Sequence, residues 1–198
     1  KSSDCVLRPV RIVNDPIRGG DNILVLCEVE TVDGDKHPSN TRSKLVKSLE
    51  SFKGQGEWVA FEQEYTLYKG SRPLGFPSER RFPADQGPYY CGVGADEVSG
   101  RPLVEKHLDI CLQAGLPITG INAEVMPGQW EYQLGGPNID ALTASDHLWI
   151  SRWLLYRIGE DFDITATLDP KPVTGDWNGA GMHTNFSTKT MRQEGGIE

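Results

Sequence analysis

The strongest constraint on the fold is a hairpin signal over residues 122–131, which read NAEVMPGQWE. Two extended apolar pieces flank Pro127 and Gly128, and turn residues between such pieces predict an antiparallel hairpin. If these two residues form the whole loop, the register places Glu124 directly opposite Glu131. Like charges in that position destabilise a strand pair. A cation between the two carboxylates would relieve this repulsion.

A second acidic pair lies in an alternating stretch over residues 57–68. Residues two apart in a strand point to the same face, so Glu62 and Glu64 project together. The neighbouring side chains point to the opposite face, which we predict to be the core: Phe61, Gln63 and Tyr65. One such pair is more typical of a solvated strand face. Two pairs favour a site for Mg²⁺, Mn²⁺ or Ca²⁺, because these hard ions prefer oxygen ligands.

The segment over residues 179–188 contains the best nitrogen ligand in the chain. Alternation along a predicted strand places His183, Asn185 and Ser187 on one face. A lone histidine is more often an ordinary surface or core residue, so this signal depends on the acidic pairs. The small residues over 178–181 would let a ligand approach the backbone closely, which is a weak signal by itself.

The rest of the periodicity predicts hairpins mixed with helices, which is typical of an α+β fold around an antiparallel sheet. Helices are predicted over residues 39–53, 102–114 and 144–160. Strands are predicted over residues 22–32, 57–68, 121–126, 129–134 and 163–168, with a long loop over 69–90. The first helix is capped by Ser39 or Asn40, and the third by a capping box of Thr143 and Asp146.

Composition restricts the class of partner. The chain has 198 residues, 37% of them hydrophobic, which is enough for one substantial core or for one domain plus part of another. Its net charge is -8. The acidic balance and the lack of clustered Lys and Arg argue against nucleic acid. No stretch could span a membrane and no signal-peptide pattern is present, so we expect a cytoplasmic protein. Four scattered cysteines fit neither zinc spacing nor a disulfide framework and indicate free thiols.

Residue chemistry alone leaves two classes of enzyme open. One is a metal-dependent enzyme whose cations bridge phosphates to the carboxylate cluster. The other is a glycoside hydrolase, in which two carboxylates act as acid and base and tryptophans stack on sugar. Trp58 lies four residues before Glu62 and shares its face, so it is predicted to line the same cleft. The hydrolase needs only one acidic pair and leaves His183 without a role.

Several long segments, in order, resemble glutamine synthetase of the type found in eukaryotes and some bacteria. These segments are FEQEYTLY, QGPYYCGVGAD, GINAEVMPGQWEYQLG, DPKPVTGDWNGAGMHTNFSTK and MRQEGG. The resemblance runs through nearly the whole chain, including SSDCVLRPV and NILVLCEVE near its start. It implies the N-terminal portion of that family's catalytic domain over residues 38–198, an antiparallel sheet with flanking helices. The tail of a β-grasp domain would precede it over residues 1–37.

The resemblance also implies a reaction. In this family ATP phosphorylates the γ-carboxylate of glutamate, and ammonia attacks the γ-glutamyl phosphate to give glutamine, ADP and phosphate. Two or three Mg²⁺ or Mn²⁺ ions per site are implied, with ATP as a substrate. The implied ligands of one ion are Glu64, Glu124 and Glu131, and those of the ion nearer the transferred phosphoryl group are Glu62 and His183.

Substrate-binding residues follow from the same resemblance. The implied ATP-binding residues are Trp58, Glu62, Glu131, Tyr132, Gln133, Leu134, Gly135, Gly136, Asn185, Phe186 and Ser187. The implied glutamate-binding residues are Asn178 and Gly179. The family's chain is longer at both ends, so the catalytic base, the ammonium site and the phosphate-binding arginines are expected outside this sequence. We therefore expect the middle part of a synthetase that is not fully active alone.

Assembly and specificity are further expectations. Family members form stacked rings whose active sites are shared between neighbouring subunits, so a homo-oligomer is expected here, a decamer of two five-membered rings. Two alternatives stay open beside the synthetase. One is a related ligase that joins glutamate to another amine, and the other is a catalytically inactive relative with a structural role.

Overall fold

The structure is a computed structural model that describes residues 4–76 and 87–197. Within those ranges the chain forms two antiparallel sheets and three α-helices. The helices are α1 (Thr41–Ser51), α2 (Arg101–Gln113) and α3 (Ala141–Phe162). The strands are β1 (Cys5–Asn14), β2 (Ile23–Thr31), β3 (Trp58–Lys69), β4 (Arg72–Pro73), β5 (Ile118–Ala123), β6 (Gln129–Gly135), β7 (Thr165–Thr167) and β8 (Met182–Ser187). The predicted antiparallel sheet with flanking helices is confirmed.

Strands β1 and β2 form a two-stranded sheet of their own. The predicted strand over residues 22–32 corresponds to β2. Strand β1 was not predicted, because its sequence lacks a clear alternation of apolar and polar residues. Val13 packs into the main hydrophobic core, and Arg11 reaches Asp146 on α3, with 3.1 Å between the guanidinium nitrogen and the carboxylate oxygen. The hairpin is thereby attached to the helix side of the larger sheet.

Strand β3 is the centre of the larger sheet. It pairs with β6 along one edge and with β8 and β7 along the other, while β4 folds back on its C-terminal end. Strand β5 lies outside β6. As predicted, Phe61, Gln63 and Tyr65 are buried, with at most 8% of each exposed. Helices α2 and α3 cover this face, so the alternate side chains of β3 point to the opposite face.

The hairpin of β5 and β6 differs from its predicted register. Asn122 pairs with Glu131, so the predicted pairing of Glu124 with Glu131 is wrong by two residues. Glu124 instead opens a loop over residues 124–128, and its backbone N–H donates to the carbonyl of Gln129 at 2.8 Å. Glu124 therefore reaches its surroundings from a loop and not from a strand.

Proline explains this shift. A two-residue hairpin loop needs a positive φ at its first position, whereas the ring of Pro127 fixes φ near -65°. Only Gly128 takes a positive φ, of 75°. The longer loop also lets Met126 become buried in a small cluster with Tyr89 and Trp177. Burial of Met126 favours the five-residue loop over a tight turn.

Helix starts follow their capping chemistry. Asn40 caps α1 as predicted, because its side chain accepts the backbone N–H of Ser43 at 3.0 Å. Helix α3 begins three residues before its predicted start, since the carboxylate of Asp140 accepts the backbone N–H of Thr143 at 2.8 Å. The predicted capping box of Thr143 and Asp146 is therefore wrong. Thr143 lies inside the first turn, and Asp146 binds arginines.

The remaining predictions fall close to the structure. Helix α2 starts next to Pro102 and ends before Gly115, whose φ is 79°. The predicted loop over 69–90 contains the short strand β4, and its part over 77–86 lies outside the described residues. No helix in the described part of the chain combines the length and apolar character needed to cross a membrane.

Candidate metal centre and adjoining ligand site

Three carboxylates converge on the sheet face opposite the helices. The β3–β6 register places Glu64 directly opposite Glu131, and Glu124 reaches the same space from the hairpin loop. One oxygen of each carboxylate lies within 4.8 Å of one oxygen of the other two. The structure thus brings together three of the five predicted ligands, although through a different strand pair from the one predicted.

The electrostatics of this cluster are unfavourable for a bare site. Glu124 and Glu131 are buried, with 6% and 7% exposed. Burial raises the pKa of both carboxyl groups, and the negative charge of Glu64 raises both pKa values further. Buried carboxylates are normally paired with a cation or a metal ion. Among the described residues, the hydrogen-bond donors to them are neutral: Asn122, the N–H of Val125, and Gln133. His183 is the cationic side chain that lowers the pKa of Glu131, and its effect is smaller than that of burial.

The other two predicted ligands face each other across the opposite edge of β3. Glu62 pairs with His183 in the β3–β8 register, and His183 Nδ1 lies 3.3 Å from the carboxylate of Glu62. The side-chain amide of Asn185 donates to the other oxygen of Glu62 at 2.6 Å. These contacts, with that of Asn185 the larger, lower the pKa of Glu62. Glu62 is therefore held ionised and oriented beside an imidazole.

The segment predicted to bind glutamate leads directly into this region. The backbone N–H of Glu64 donates to the carbonyl of Gly181 at 3.0 Å, and the N–H of Gly181 donates back to the Glu64 carboxylate. The carbonyl of Gly179 accepts the side-chain amide of Gln129 at 2.8 Å. Asn178 and Gly179 thus lie within three residues of a direct contact to the carboxylate cluster.

An arginine that the sequence did not identify joins the predicted nucleotide-binding residues. Trp58 pairs with Ser187 in the β3–β8 register. The guanidinium of Arg192 lies 3.7 Å from the centre of the Trp58 ring, and it donates to the carbonyl and hydroxyl oxygens of Ser187 at 3.0 and 2.9 Å. Arg192 belongs to the MRQEGG segment, but nothing in its spacing indicated that it stacks on Trp58.

Some predicted ATP-binding side chains point away from this face. Tyr132 and Leu134 are fully buried, and the hydroxyl of Tyr132 bonds the hydroxyl of Ser151 on α3 at 2.8 Å. Phe186 pairs with the buried Val59 and alternates with the ligands on β8. Only the main chain of these three residues could contact a ligand held on the carboxylate face.

The glycines at the end of β6 have a steric reason to be glycines. Gly135 has a φ of 100°, and a side chain there would collide with the carbonyl of Val59. Gly136 has a φ of 121° and donates its N–H to the same carbonyl at 3.0 Å. These positions allow the chain to leave the sheet close to the start of β3, where Trp58 lies.

A separate cleft lies on the helix side of the sheet. It has a volume of about 530 Å³ and is enclosed by β2, α1 and α3, with Asp146 and Arg42 in its wall. None of the five predicted metal ligands lines it. The cleft is therefore distinct from the carboxylate cluster on the other face.

Comparison with known proteins gives the same family throughout. The family model described as the catalytic domain of glutamine synthetase matches residues 38–194. The chain is 64% identical over 192 residues to the glutamine synthetase of Streptomyces viridochromogenes, covering 97% of this chain and 55% of that protein. It is 56% identical over 201 residues to the chloroplastic enzyme of Chlamydomonas reinhardtii, covering 100% and 52%. The chain spans about half the length of the curated relatives it matches.

Proposed function

The chain belongs to the glutamine synthetase catalytic-domain family, and we propose that its protein is an ATP-dependent glutamate–ammonia ligase. The reaction would pass through γ-glutamyl phosphate and give glutamine, ADP and phosphate. The observation that carries this proposal is the convergence of Glu64, Glu124 and Glu131 within 4.8 Å of one another. Family membership gives no support to a glycoside hydrolase, which would leave the third carboxylate without a role.

The residues present fit a divalent cation. Three converging carboxylates, two of them buried, form an oxygen-rich site of the kind that hard cations prefer. Glu64, Glu124 and Glu131 would hold one ion, and Glu62 with His183 would hold another. Such ions neutralise charge on phosphate oxygens and orient the transferred phosphoryl group. The choice between Mg²⁺ and Mn²⁺, and a total of two or three ions, stay predictions.

The chain's own residues would hold the substrates around these positions. Trp58 and Arg192 form a flat stacking surface at the start of β3, which fits a nucleotide base. The 178–181 segment would bind the amino-acid substrate through Asn178 and Gly179. Because Gly181 contacts the Glu64 carboxylate, a substrate held there would lie beside the carboxylate cluster.

Three further parts of the proposal concern the whole protein. The separate β1–β2 sheet supports the assignment of residues 1–37 to the tail of a β-grasp domain, with 38–198 in the catalytic domain. Assembly into rings with shared active sites, as a decamer, is proposed from the family. Cytoplasmic location also stays a prediction, because the names of plant and algal relatives include the word chloroplastic.

The test is glutamine formation by the purified full-length protein. We expect activity that requires glutamate, ammonia, ATP and Mg²⁺ or Mn²⁺ together, and that falls by about 100-fold or more in Glu131→Ala. Glu50→Ala, which removes an exposed carboxylate on α1, is the matched control and should keep the parental rate. Undiminished activity in Glu131→Ala would contradict the metal assignment.

A further inference from the structure

Two buried glutamines contact the segment that precedes β8. Gln63 and Gln129 are 3% and 1% exposed, and neither belongs to the proposed ligands. Gln63 points to the helix side of β3, whereas Gln129 lies two residues before Glu131 and so shares its face. The two side chains therefore approach residues 178–181 from opposite faces of the sheet.

Gln129 connects the segment to the loop that carries Glu124. Its side-chain oxygen accepts the backbone N–H of Met126 at 3.3 Å. Its side-chain NH₂ donates to the carbonyl of Gly179 at 2.8 Å. One buried amide thus joins the hairpin loop of the carboxylate cluster to the peptide next to Asn178.

Gln63 connects the same segment to α3. Its oxygen accepts the Nε of Arg152 at 2.9 Å. Its NH₂ donates to the carbonyl of Glu64 at 2.8 Å and to that of Gly181 at 3.4 Å. The carbonyl of Gly181 also accepts the backbone N–H of Glu64. The Gln63 side chain therefore contacts the segment at the point where the segment meets the carboxylate cluster.

The orientation of both amides is fixed by their partners. In each case the oxygen faces N–H donors and the NH₂ faces carbonyl oxygens, so a flipped amide would place like groups together. A glutamate of the same size would keep the accepted bonds but would present an oxygen to the carbonyls. Glutamine is thus the side chain that satisfies both sides at each position.

We propose that Gln63 and Gln129 are positioning residues that hold the 178–181 segment in place against the carboxylate cluster, so that an amino-acid substrate bound there faces the cluster. This inference rests on the proposed function. The residues do not touch the reacting atoms; they act through the carbonyls of Gly179 and Gly181. Small displacements of a bound substrate cause large losses in rate or binding.

The test uses Gln63→Glu and Gln129→Glu in the full-length protein, with Gln113→Glu at the exposed end of α2 as the matched control. We expect each buried variant to raise the KM for glutamate by about tenfold or more, with the KM for ATP within about twofold of the parent. Hydrogen–deuterium exchange of the peptide over residues 178–183 should accelerate by about tenfold in the same variants. The control should change neither quantity.

A purely structural role would lower thermal stability and kcat without a selective change in the KM for glutamate. If Gln63→Glu or Gln129→Glu does not fold, Gln63→Met and Gln129→Met remove the same side-chain NH₂ donor without adding charge. If the folded variants keep the parental KM for glutamate and the parental hydrogen–deuterium exchange rate over residues 178–183, this inference is overturned but the proposed function is not. A parent protein without glutamate-dependent activity would instead overturn the proposed function.

Discussion

Glu64 and Glu131 face each other directly across the β3–β6 ladder. Antiparallel strands avoid like charges in this position because they repel, and the nearby Glu124 adds a third carboxylate. Burial of Glu124 and Glu131 makes the arrangement more costly in the absence of a cation. The sheet is thus arranged at the expense of its own stability to hold oxygen ligands close together.

Neutralising one member of this pair should therefore stabilise the bare protein. In the presence of EDTA, Glu131→Gln is expected to raise the free energy of unfolding by about 1 kcal/mol, because the cross-strand repulsion is relieved. The stabilisation that Mn²⁺ gives the parent should be lost in the same variant. Urea unfolding with EDTA and with saturating Mn²⁺ measures both effects. A destabilised variant that keeps the full response to Mn²⁺ would contradict the shared site.

Metal affinity should depend on pH through the same carboxylates. The raised pKa values of Glu124 and Glu131 mean that protons compete with a cation at a higher pH than for a solvated glutamate. Mn²⁺ binding, followed by electron paramagnetic resonance, is expected to weaken progressively as the pH falls from neutral to acidic values. Glu131→Gln should bind Mn²⁺ weakly and with a shallower pH dependence. An affinity independent of pH over this range would exclude proton competition at Glu124 and Glu131.

Acid should destabilise the fold through His107. This side chain is 1% exposed, and burial lowers its pKa from 6.5 to about 4. The unfolded chain binds the proton more tightly, so stability present above the unfolded-state pKa is lost as the pH falls toward the folded-state value. The loss is expected to be on the order of 3 kcal/mol between these two limits. The free energy of unfolding, measured with urea over this pH range, should depend clearly less on pH in His107→Gln than in the parent. An unchanged pH dependence in the variant would assign the loss to other groups.

The attachment of the N-terminal hairpin should depend on one buried carboxylate. Asp146 is 2% exposed and accepts hydrogen bonds from Arg42 at 2.8 Å and Arg11 at 3.1 Å. Asp146→Asn removes the charge that Arg11 and Arg42 share, and Arg42 keeps Glu28 at 3.6 Å, so a loss of about 2 kcal/mol in the free energy of unfolding is expected. Asp161→Asn, which breaks an exposed pair with Arg157, is the control and should have no measurable effect. Equal unfolding curves for the two variants would contradict a stabilising role for the contacts of Asp146 with the two arginines.

The stack of Arg192 on Trp58 should matter for nucleotide binding. Arg192→Met keeps an apolar stem but removes the cation over the ring and both hydrogen bonds to Ser187. ATP affinity, measured by quenching of tryptophan fluorescence, is expected to fall by about tenfold. Arg157→Met, at an arginine on α3, is the control. Parental ATP affinity in Arg192→Met would remove this arginine from the nucleotide site.

Local rules predicted much of the fold and the candidate site. Strand alternation placed Glu62 and Glu64 on one face and Gln63 on the other, because the period of two does not depend on the neighbouring strands. Asn40 was a correct cap because capping involves only the backbone of the next turn. The same alternation placed His183 and Asn185 together, as their contacts with Glu62 confirm.

Tertiary structure decided which strands meet and therefore which residues share a site. The sequence by itself determined the faces of β3 and β8 and the family of the chain. It did not determine that the cross-strand partner of Glu131 is Glu64 and not Glu124. Nor did it determine that Arg192 covers Trp58, or that two buried glutamines contact residues 178–181. The alternation within a strand is set by its own backbone, whereas register, stacking and buried amide contacts depend on residues far apart in the chain. Those contacts are chosen by packing across the whole sheet, as the burial of Met126 shows for the hairpin loop.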